Sequence, residues 1–212
     1  SEMCIRDSPL AAGIARACGY HAALLSLAAW QDAGEDELII HCQRVAEEIP
    51  VVGFYLQPAV GGCILSHSFW RRFSEIETVV AIKIAPFNRY QTLDVVRAIA
   101  ESGRDDIALY TGNDDNILLD LVTPYRFGAT ERRITGGLLG HWSAWTRRAV
   151  EQLQTCHTIA TSGKAVPTEF LALAIEVTDT NAAFFDVANA FHGSIAGMHE
   201  VLRRQGLLED II

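Results

Sequence analysis

The stretch Val79-Val80-Ala81-Ile82-Lys83-Ile84-Ala85-Pro86 places a single lysine inside an apolar run. A short apolar run rich in β-branched residues and closed by proline predicts a buried strand. Lys83 is one of only two lysines in 212 residues, and all the other basic residues counted as Lys or Arg are arginines. A lysine withdrawn from water can lose its proton and become a nucleophilic amine, whereas arginine cannot. Two interpretations follow: an amine that leaves the strand end for solvent, or an imine-forming nucleophile at the carboxyl end of a strand.

Strand and helix patterns alternate along the chain around this run. The apolar runs that predict strands lie at 21–27, 50–55, 79–84, 107–111 and 133–138. The amphipathic or apolar-periodic segments that predict helices lie at 9–18, 34–48, 66–76, 90–102, 116–122 and 141–208. Such alternation is typical of an α/β fold with a parallel sheet, either doubly wound or a (β/α)8 TIM barrel. Five strands are three fewer than a barrel needs, so we expect an incomplete barrel of about strands 4–8 over residues 9–155. C-terminal helices at 156–212 would pack on it.

The first eight residues, 1–8, are set apart from this pattern. Met3-Cys4-Ile5-Arg6-Asp7-Ser8 resembles the translation of a transposon adapter used in sequencing libraries, which predicts a non-native segment. The alternative is an ordinary disordered N-terminus. The adapter interpretation agrees with the strand deficit, because the natural protein would then begin upstream.

The composition excludes several classes of function. The net charge is −9, from 26 acidic and 17 basic residues, which argues against a nucleic-acid surface or attraction to an anionic membrane. No apolar stretch approaches the roughly 20 residues that span a bilayer. Five scattered cysteines predict reduced thiols in a cytoplasmic protein, and the seven dispersed histidines form no His-x-x-x-His pair. We therefore expect no metal and no other cofactor.

A tyrosine, two glycines and the lysine form a spaced pattern near the predicted strand ends. Tyr55 is followed by Pro58 three positions later and by Gly61-Gly62, and Lys83 lies 28 positions after Tyr55. In a barrel, the carboxyl ends of the strands carry the chemistry. The pattern resembles the dihydrodipicolinate synthase / N-acetylneuraminate lyase family of class I aldolase-type barrels. The resemblance covers about residues 12–155, and the segments 111–115 and 134–137 resemble its seventh and eighth strands.

The resemblance implies a role for each of these residues. Lys83 would attack a substrate ketone to form a protonated imine, and Tyr55 would carry protons as general acid and base. The backbone amides of Gly61 and Gly62 would hold the substrate carboxylate. Alternatives stay open: Tyr55 as a core aromatic, and Asp114 with its neighbour Asp115 as a helix cap and first-turn charge. The further residues expected to contact substrate are Gly136, Asp114 and Asn88.

Departures from the family pattern leave the substrate open. Val60 stands where the synthase branch has a carboxylate-binding arginine, and Leu56 and Gln57 replace the usual pair of the sialate lyase branch. Ala29 or Trp30 falls where the family has a proton-relaying tyrosine that reaches a neighbouring subunit. Lysine synthesis is therefore disfavoured.

The expected activity is a Schiff-base-forming lyase or aldolase acting on a pyruvate-like 2-oxo acid or a sugar-derived acid. The chain itself is expected to be an inactive fragment of a homo-oligomeric full-length protein. The alternatives are an imine-dependent dehydratase and a non-catalytic sugar-acid-binding or scaffold protein.

Overall fold

The computed structural model describes residues 8–211, so the segment 1–7 of the predicted adapter-derived stretch lies outside the described part. The described residues form two compact units. The first unit holds the residues up to Tyr110 together with Tyr125–Arg132, and the second holds Thr111–Pro124 and the chain from Arg133 onward.

Helices and strands alternate, as the sequence pattern predicts. The α-helices are α1 (Ser8–Ala17), α2 (Glu35–Ala46), α3 (His67–Phe73), α4 (Arg89–Ser102), α5 (Ile117–Val122), α6 (Gly140–Ala144), α7 (Thr146–Thr161), α8 (Thr168–Phe185) and α9 (Ser194–Arg204). The strands are β1 (Ala23–Ser26), β2 (Val51–Leu56), β3 (Val79–Ala85), β4 (Ala108–Thr111), β5 (Tyr125–Phe127), β6 (Thr130–Arg132) and β7 (Gly136–Gly137). Short 3-10 turns lie at Ala28–Trp30, Pro58–Val60 and Val187–Asn189.

Five strands form one parallel sheet in the order β1-β2-β3-β4-β7. β1 and β2 pair in parallel from Ala23 opposite Val51 onward. At the end of β4, the amide of Leu138 donates to the carbonyl oxygen of Thr111 at 2.9 Å. The order is linear within residues 8–211, so the sheet is open and forms no closed barrel there. The expected α/β architecture is confirmed.

The pairing of β2 with β3 contains a β-bulge. Val51 lies opposite Val79, but Val52 lies opposite Ala81, so Val80 is an extra residue in β3. A bulge leaves one residue unpaired and advances the register of everything after it. The offset between the two strands therefore grows from 28 to 29 residues before the strands reach their carboxyl ends.

An aromatic cluster on α3 packs against one face of the sheet in the first unit. Phe69, Trp70 and Phe73 are fully buried, and their rings lie 5.1–5.9 Å apart between centroids. Gly53 of β2 makes this packing possible, because a Cβ there would lie 2.7 Å from the Phe73 ring. The cluster is the expected packing of a helix on a strand.

The chain after β4 departs from the sequence prediction in one way. An antiparallel hairpin of β5 and β6 turns at Gly128, whose φ of 60° favours glycine, and no strand was predicted there. The predicted helical stretch 141–208 consists of the four helices α6 to α9. Within residues 8–211, no helix combines the length and the apolar character needed to cross a bilayer.

Candidate active site

Lys83 occupies the centre of β3, as predicted, and is partly buried. In the register that follows the bulge, Lys83 lies opposite Phe54 of β2. Its Nζ sits over the Phe54 ring, 4.2 Å from the ring centroid. An amine at that distance from an aromatic face makes a cation–π contact. The lysine thus neither ends in open solvent nor lies in a purely aliphatic environment.

Tyr55 lies on the other face of the sheet. It pairs with Ile84, one position beyond the Phe54–Lys83 pair, and successive side chains of a strand point to opposite faces. Its ring is fully buried 5.4 Å from the Trp70 ring, and its hydroxyl accepts the Leu65 amide at 3.2 Å. Burial raises the pKa of Tyr55, with the Leu65 bond acting in the opposite sense. The structure therefore does not bring the Tyr55 hydroxyl to the face of the sheet that carries Lys83.

The bulge changes which residue of β2 lies beside Lys83. Tyr55 and Lys83 are 28 residues apart, which is the offset of Val51 and Val79 before the bulge. Beyond Val80 the offset is 29, so Phe54 takes the place beside the lysine. A one-residue slip moves every following side chain to the opposite face relative to its partner strand.

In the loop after β2, the backbone amides of the two glycines donate hydrogen bonds to carbonyl oxygens of the same loop. The Gly61 amide donates to Pro58 O at 3.1 Å, and the Gly62 amide donates to Gln57 O at 3.0 Å. Gly61 has a φ of 94°, and a Cβ on Gly62 would overlap the carbonyl oxygen of Leu56. Both glycines are therefore required by the turn, and the two N–H groups expected to hold a carboxylate are donated within the loop in this conformation.

Asn88 caps the helix that follows the lysine strand. Its Oδ1 accepts the amides of Tyr90 and Gln91 at 2.9 and 3.3 Å, so this side chain is engaged at the start of α4. The neighbouring Arg89 donates to the Tyr125 hydroxyl at 3.1 Å. The structure thus gives Asn88 a capping role, which accounts for an asparagine at this position without a substrate contact.

In the second unit, a buried carboxylate organises the loop after β4. Asp120 accepts hydrogen bonds from Thr111 Oγ1 at 2.7 Å, Asn113 Nδ2 at 3.0 Å and Asn116 Nδ2 at 3.0 Å. Asn116, rather than Asp114 or Asp115, is the N-cap of α5. The sequence analysis selected Asp114 and Asp115, whereas the fully buried carboxylate is that of Asp120, in the first turn of α5.

Asp114 and Gly136, both expected to contact substrate, also lie in the second unit. Asp114 is partly buried, and its main-chain oxygen accepts the Asn181 amide group of α8 at 3.0 Å. Gly136 is buried in β7. Gly136 is the first residue of β7, and Asp114 lies three positions after the end of β4. Their contact with substrate stays a prediction.

His141 is a buried member of the same unit. Its Nδ1 lies 2.9 Å from Asn181 Oδ1 and its Nε2 lies 3.0 Å from Gln152 Oε1. Because Asn181 Nδ2 donates to a carbonyl oxygen, its Oδ1 faces the imidazole, and His141 Nδ1 is the donor in that bond. These polar neighbours lie on two other helices, α8 and α7, so they could not be read from the sequence around His141.

No group of three or more His, Cys, Asp or Glu side chains placed to hold a metal ion occurs between residues 8 and 211. The described cysteines, Cys18, Cys42, Cys63 and Cys156, are all unbridged.

Comparison with known proteins finds similarity in structure. No protein-family model matches the sequence, and no curated protein matches it either. Dihydrodipicolinate synthase from Bacteroides thetaiotaomicron superposes with a TM-score of 0.73 at 16% identity, over 96% of this chain and 63% of that one. Dihydrodipicolinate synthase from Cyanidioschyzon merolae, solved with lysine bound, gives 0.68 at 17% identity, over 96% and 61%.

An aldolase shares the same fold. A doubly substituted variant of the 2-keto-3-deoxygluconate aldolase of Sulfolobus solfataricus gives a TM-score of 0.65 at 15% identity, over 95% of this chain and 60% of that one. The chain thus spans about three fifths of the length of these proteins. The predicted resemblance is confirmed at the level of the fold: this chain has the architecture of the dihydrodipicolinate synthases and 2-keto-3-deoxygluconate aldolases over that part of their length.

Proposed function

We propose that the chain is part of a Schiff-base-forming lyase or aldolase of the dihydrodipicolinate synthase / N-acetylneuraminate lyase family, acting on a pyruvate-like 2-oxo acid or a sugar-derived acid. One observation carries the proposal. Lys83 is a partly buried lysine at the centre of a parallel strand, in a fold shared with synthases and aldolases of that kind. The five strands then correspond to strands 4–8 of a (β/α)8 barrel.

The chemistry requires an amine and a ketone. The neutral Lys83 amine adds to the carbonyl carbon of the 2-oxo acid, the carbonyl oxygen leaves as water, and a protonated imine remains on Nζ. The imine withdraws electrons from the carbon next to it. In aldol cleavage, the hydroxyl on the following carbon loses its proton to solvent, the carbon–carbon bond breaks, that fragment leaves as an aldehyde, and the electron pair moves onto the imine nitrogen as an enamine. In dehydration, the carbon next to the imine loses a proton to give an enamine, and the hydroxyl on the following carbon leaves as water. Addition of a proton and then of water to the imine carbon returns the lysine and releases the new 2-oxo acid.

Tyr55 could transfer protons to and from the substrate only if β2 and β3 paired with an offset of 28 residues at this point. With the 28-residue offset, Tyr55 would lie opposite Lys83 and could reach the reacting oxygen. In the 29-residue register of the structure, the tyrosine packs against Trp70. Carboxylate binding by Gly61 and Gly62 similarly requires the loop to release the two amides from Pro58 and Gln57.

These requirements lead us to propose that the chain alone forms the imine but does not turn over. The whole protein would be a cytoplasmic homo-oligomer in which the remaining barrel strands complete the site. The same observations favour one alternative function, a sugar-acid-binding protein without turnover. The Tyr55 hydroxyl and the amides of Gly61 and Gly62, which were expected to assist the reaction, are hydrogen-bonded elsewhere.

The test is reductive trapping with pyruvate and borohydride, followed by digestion and mass spectrometry. The chain contains its own control, because Lys164 lies in an exposed segment and is the only other lysine. We expect the reduced pyruvate adduct on Lys83 at several times the level on Lys164, and no adduct at position 83 in K83M. Equal labelling of both lysines, or none at Lys83, would refute the proposal. Product analysis on deoxy-sugar acids with the full-length protein then separates aldol cleavage from dehydration.

A further inference from the structure

Phe54 is held beside Lys83 by its neighbours in β2. A Cβ on Gly53 would lie 2.7 Å from the Phe73 ring, and the Tyr55 ring packs against Trp70. These two flanking residues anchor β2 against α3. Since side chains alternate along a strand, Phe54 projects to the face opposite Tyr55, where Lys83 lies.

We propose that Phe54 is the positioning residue of the nucleophile: its ring face holds Lys83 Nζ as an ammonium before the reaction and as an iminium after it. This inference rests on the proposed function, and it concerns Phe54, the residue of β2 that pairs with Lys83, and not Tyr55, the residue that the family resemblance implies as its partner. The supporting geometry is the 4.2 Å distance from Nζ to the ring centroid and the direct pairing of the two residues across the strands. Both side chains are partly buried, so water screens the contact less than at an exposed site.

The ring has consequences for substrate orientation as well. A phenyl face carries partial negative charge, so it attracts the cationic nitrogen and repels a carboxylate. The carboxylate of the 2-oxo acid would therefore point away from Phe54. A phenyl group also carries no exchangeable proton, so Phe54 stabilises the charge of the imine and does not relay protons.

The presence of only two lysines allows a direct test without substrate. Lysine acylation of the native chain is measured across pH, and the rates at Lys83 and Lys164 are read separately by mass spectrometry. In F54L, which keeps an apolar side chain but removes the ring, we expect the midpoint pH of Lys83 acylation to fall by about 0.5 unit. In F54Y, which keeps the ring, the midpoint stays within about 0.2 unit of the unmodified chain.

A matched control is available in the same unit. The guanidinium of Arg97 lies over the Phe127 ring, 4.8 Å from its centroid, so F127L removes an aromatic ring from a different cation. We expect F127L to leave the Lys83 midpoint unchanged, and Lys164 to be unchanged in every variant. An F54L midpoint equal to or above that of the unmodified chain, or an equal shift in F127L, would overturn the assignment.

Trapping with pyruvate and borohydride is a second test of the role of Phe54. Trapping is carried out above the acylation midpoint of Lys83, where the free amine is neutral and only the iminium is a cation over the ring. If Phe54 stabilises the iminium, the trapped fraction at low pyruvate and this pH falls about two- to fivefold in F54L and is retained in F54Y. Failure of the unmodified chain to form any adduct would refute the proposed function, yet the acylation midpoint would still decide whether Phe54 holds the Lys83 ammonium. The two failures are thus separable, and an unchanged trapped fraction in F54L would refute the iminium role alone.

Discussion

Thr111 donates a 2.7 Å hydrogen bond from its hydroxyl to the carboxylate of Asp120, and both side chains are fully buried. The same carboxylate oxygen accepts Asn113 Nδ2 at 3.0 Å. A buried carboxylate is stable only when donors surround it, so the segment 111–120 depends on this network for its conformation. The network lies beside Asp114, one of the residues expected to contact substrate.

Replacing Asp120 should destabilise the second unit. We expect D120A to lower the free energy of unfolding by about 2–4 kcal/mol, because it removes the carboxylate that accepts hydrogen bonds from buried donors on Thr111 and Asn113. D120N keeps one acceptor oxygen and should cost about half as much. Urea unfolding of the two variants measures the difference, and a D120A loss no greater than that of D120N would contradict this role.

Asn181 should control the mobility of the Asp114 loop. Its amide donates to Asp114 O at 3.0 Å and its oxygen faces His141 Nδ1 at 2.9 Å, so N181L removes one partly buried and one buried hydrogen bond. We expect a loss of about 2–3 kcal/mol and faster hydrogen exchange at 113–116. T178V is the matched control, because the Thr178 hydroxyl donates to the next carbonyl, Asp115 O, at 3.1 Å. Equal exchange in the two variants would show that Asn181 does not hold the loop.

Acid should remove one contribution to the stability of the first unit. Arg104 donates to both Asp106 carboxylate oxygens at 2.7–2.8 Å, and this hydrogen bonding lowers the pKa of Asp106 to about 2. A carboxylate whose pKa is lowered on folding stabilises the protein above the unfolded value of 3.8, and the effect is lost as pH falls through about 2.

The measurement compares the unmodified chain with D106N in urea between about pH 6 and about pH 2. We expect a constant difference in unfolding midpoint above about pH 4 that shrinks steadily toward about pH 2. A difference that grows as the pH is lowered would have the wrong sign and would exclude the Arg104 pair as its source.

The alternation of elements was predictable because each strand is a short apolar run and each helix has an apolar face. Val79–Ala85, for example, was recognised almost to its ends. The hairpin at Tyr125–Phe127 and Thr130–Arg132 was not predicted, because strands of about three residues carry too little periodicity. The order of the strands in the sheet follows from long-range pairing, which the alternation alone leaves open between a doubly wound sheet and part of a barrel.

Only part of the geometry around Lys83 could be predicted from the sequence. The apolar run predicted that Lys83 would lie in a strand, but no local signal marks Val80 as the bulged residue. Because of this one extra residue, Phe54 and not Tyr55 lies beside Lys83. The contact of Lys83 with an aromatic ring therefore depends on how the strands pair and not on the spacing along the sequence. Likewise, the partners of His141 come from helices that lie 11 and 40 positions away in sequence.

The cysteines should differ strongly in reactivity. Burial raises the pKa of the Cys42 and Cys156 thiols to about 12, whereas Cys18 is exposed. The thiolate is the reactive form, so maleimide at about pH 8 should label Cys18 and spare the other two until the chain is unfolded. Peptide mass spectrometry before and after urea treatment measures this. Labelling of Cys156 in the native chain at the rate of Cys18 would contradict the burial of α7.

Gly62 should tolerate no side chain, whereas Gly13 should. A Cβ at Gly62 would overlap the carbonyl oxygen of Leu56, a contact with backbone that cannot move aside without opening the loop. A Cβ at Gly13 in α1 would lie 3.4 Å from a flexible Glu48 oxygen, and alanine favours a helix.

We therefore expect G62A to lose about 2–3 kcal/mol of unfolding free energy and G13A to gain about 0.5 kcal/mol. Unfolding in urea tests both variants, and G62A with unchanged stability would mean that the loop adopts another conformation. In that case the Gly61 and Gly62 amides would be released from Pro58 and Gln57, and the carboxylate-binding role expected from sequence would regain its donors.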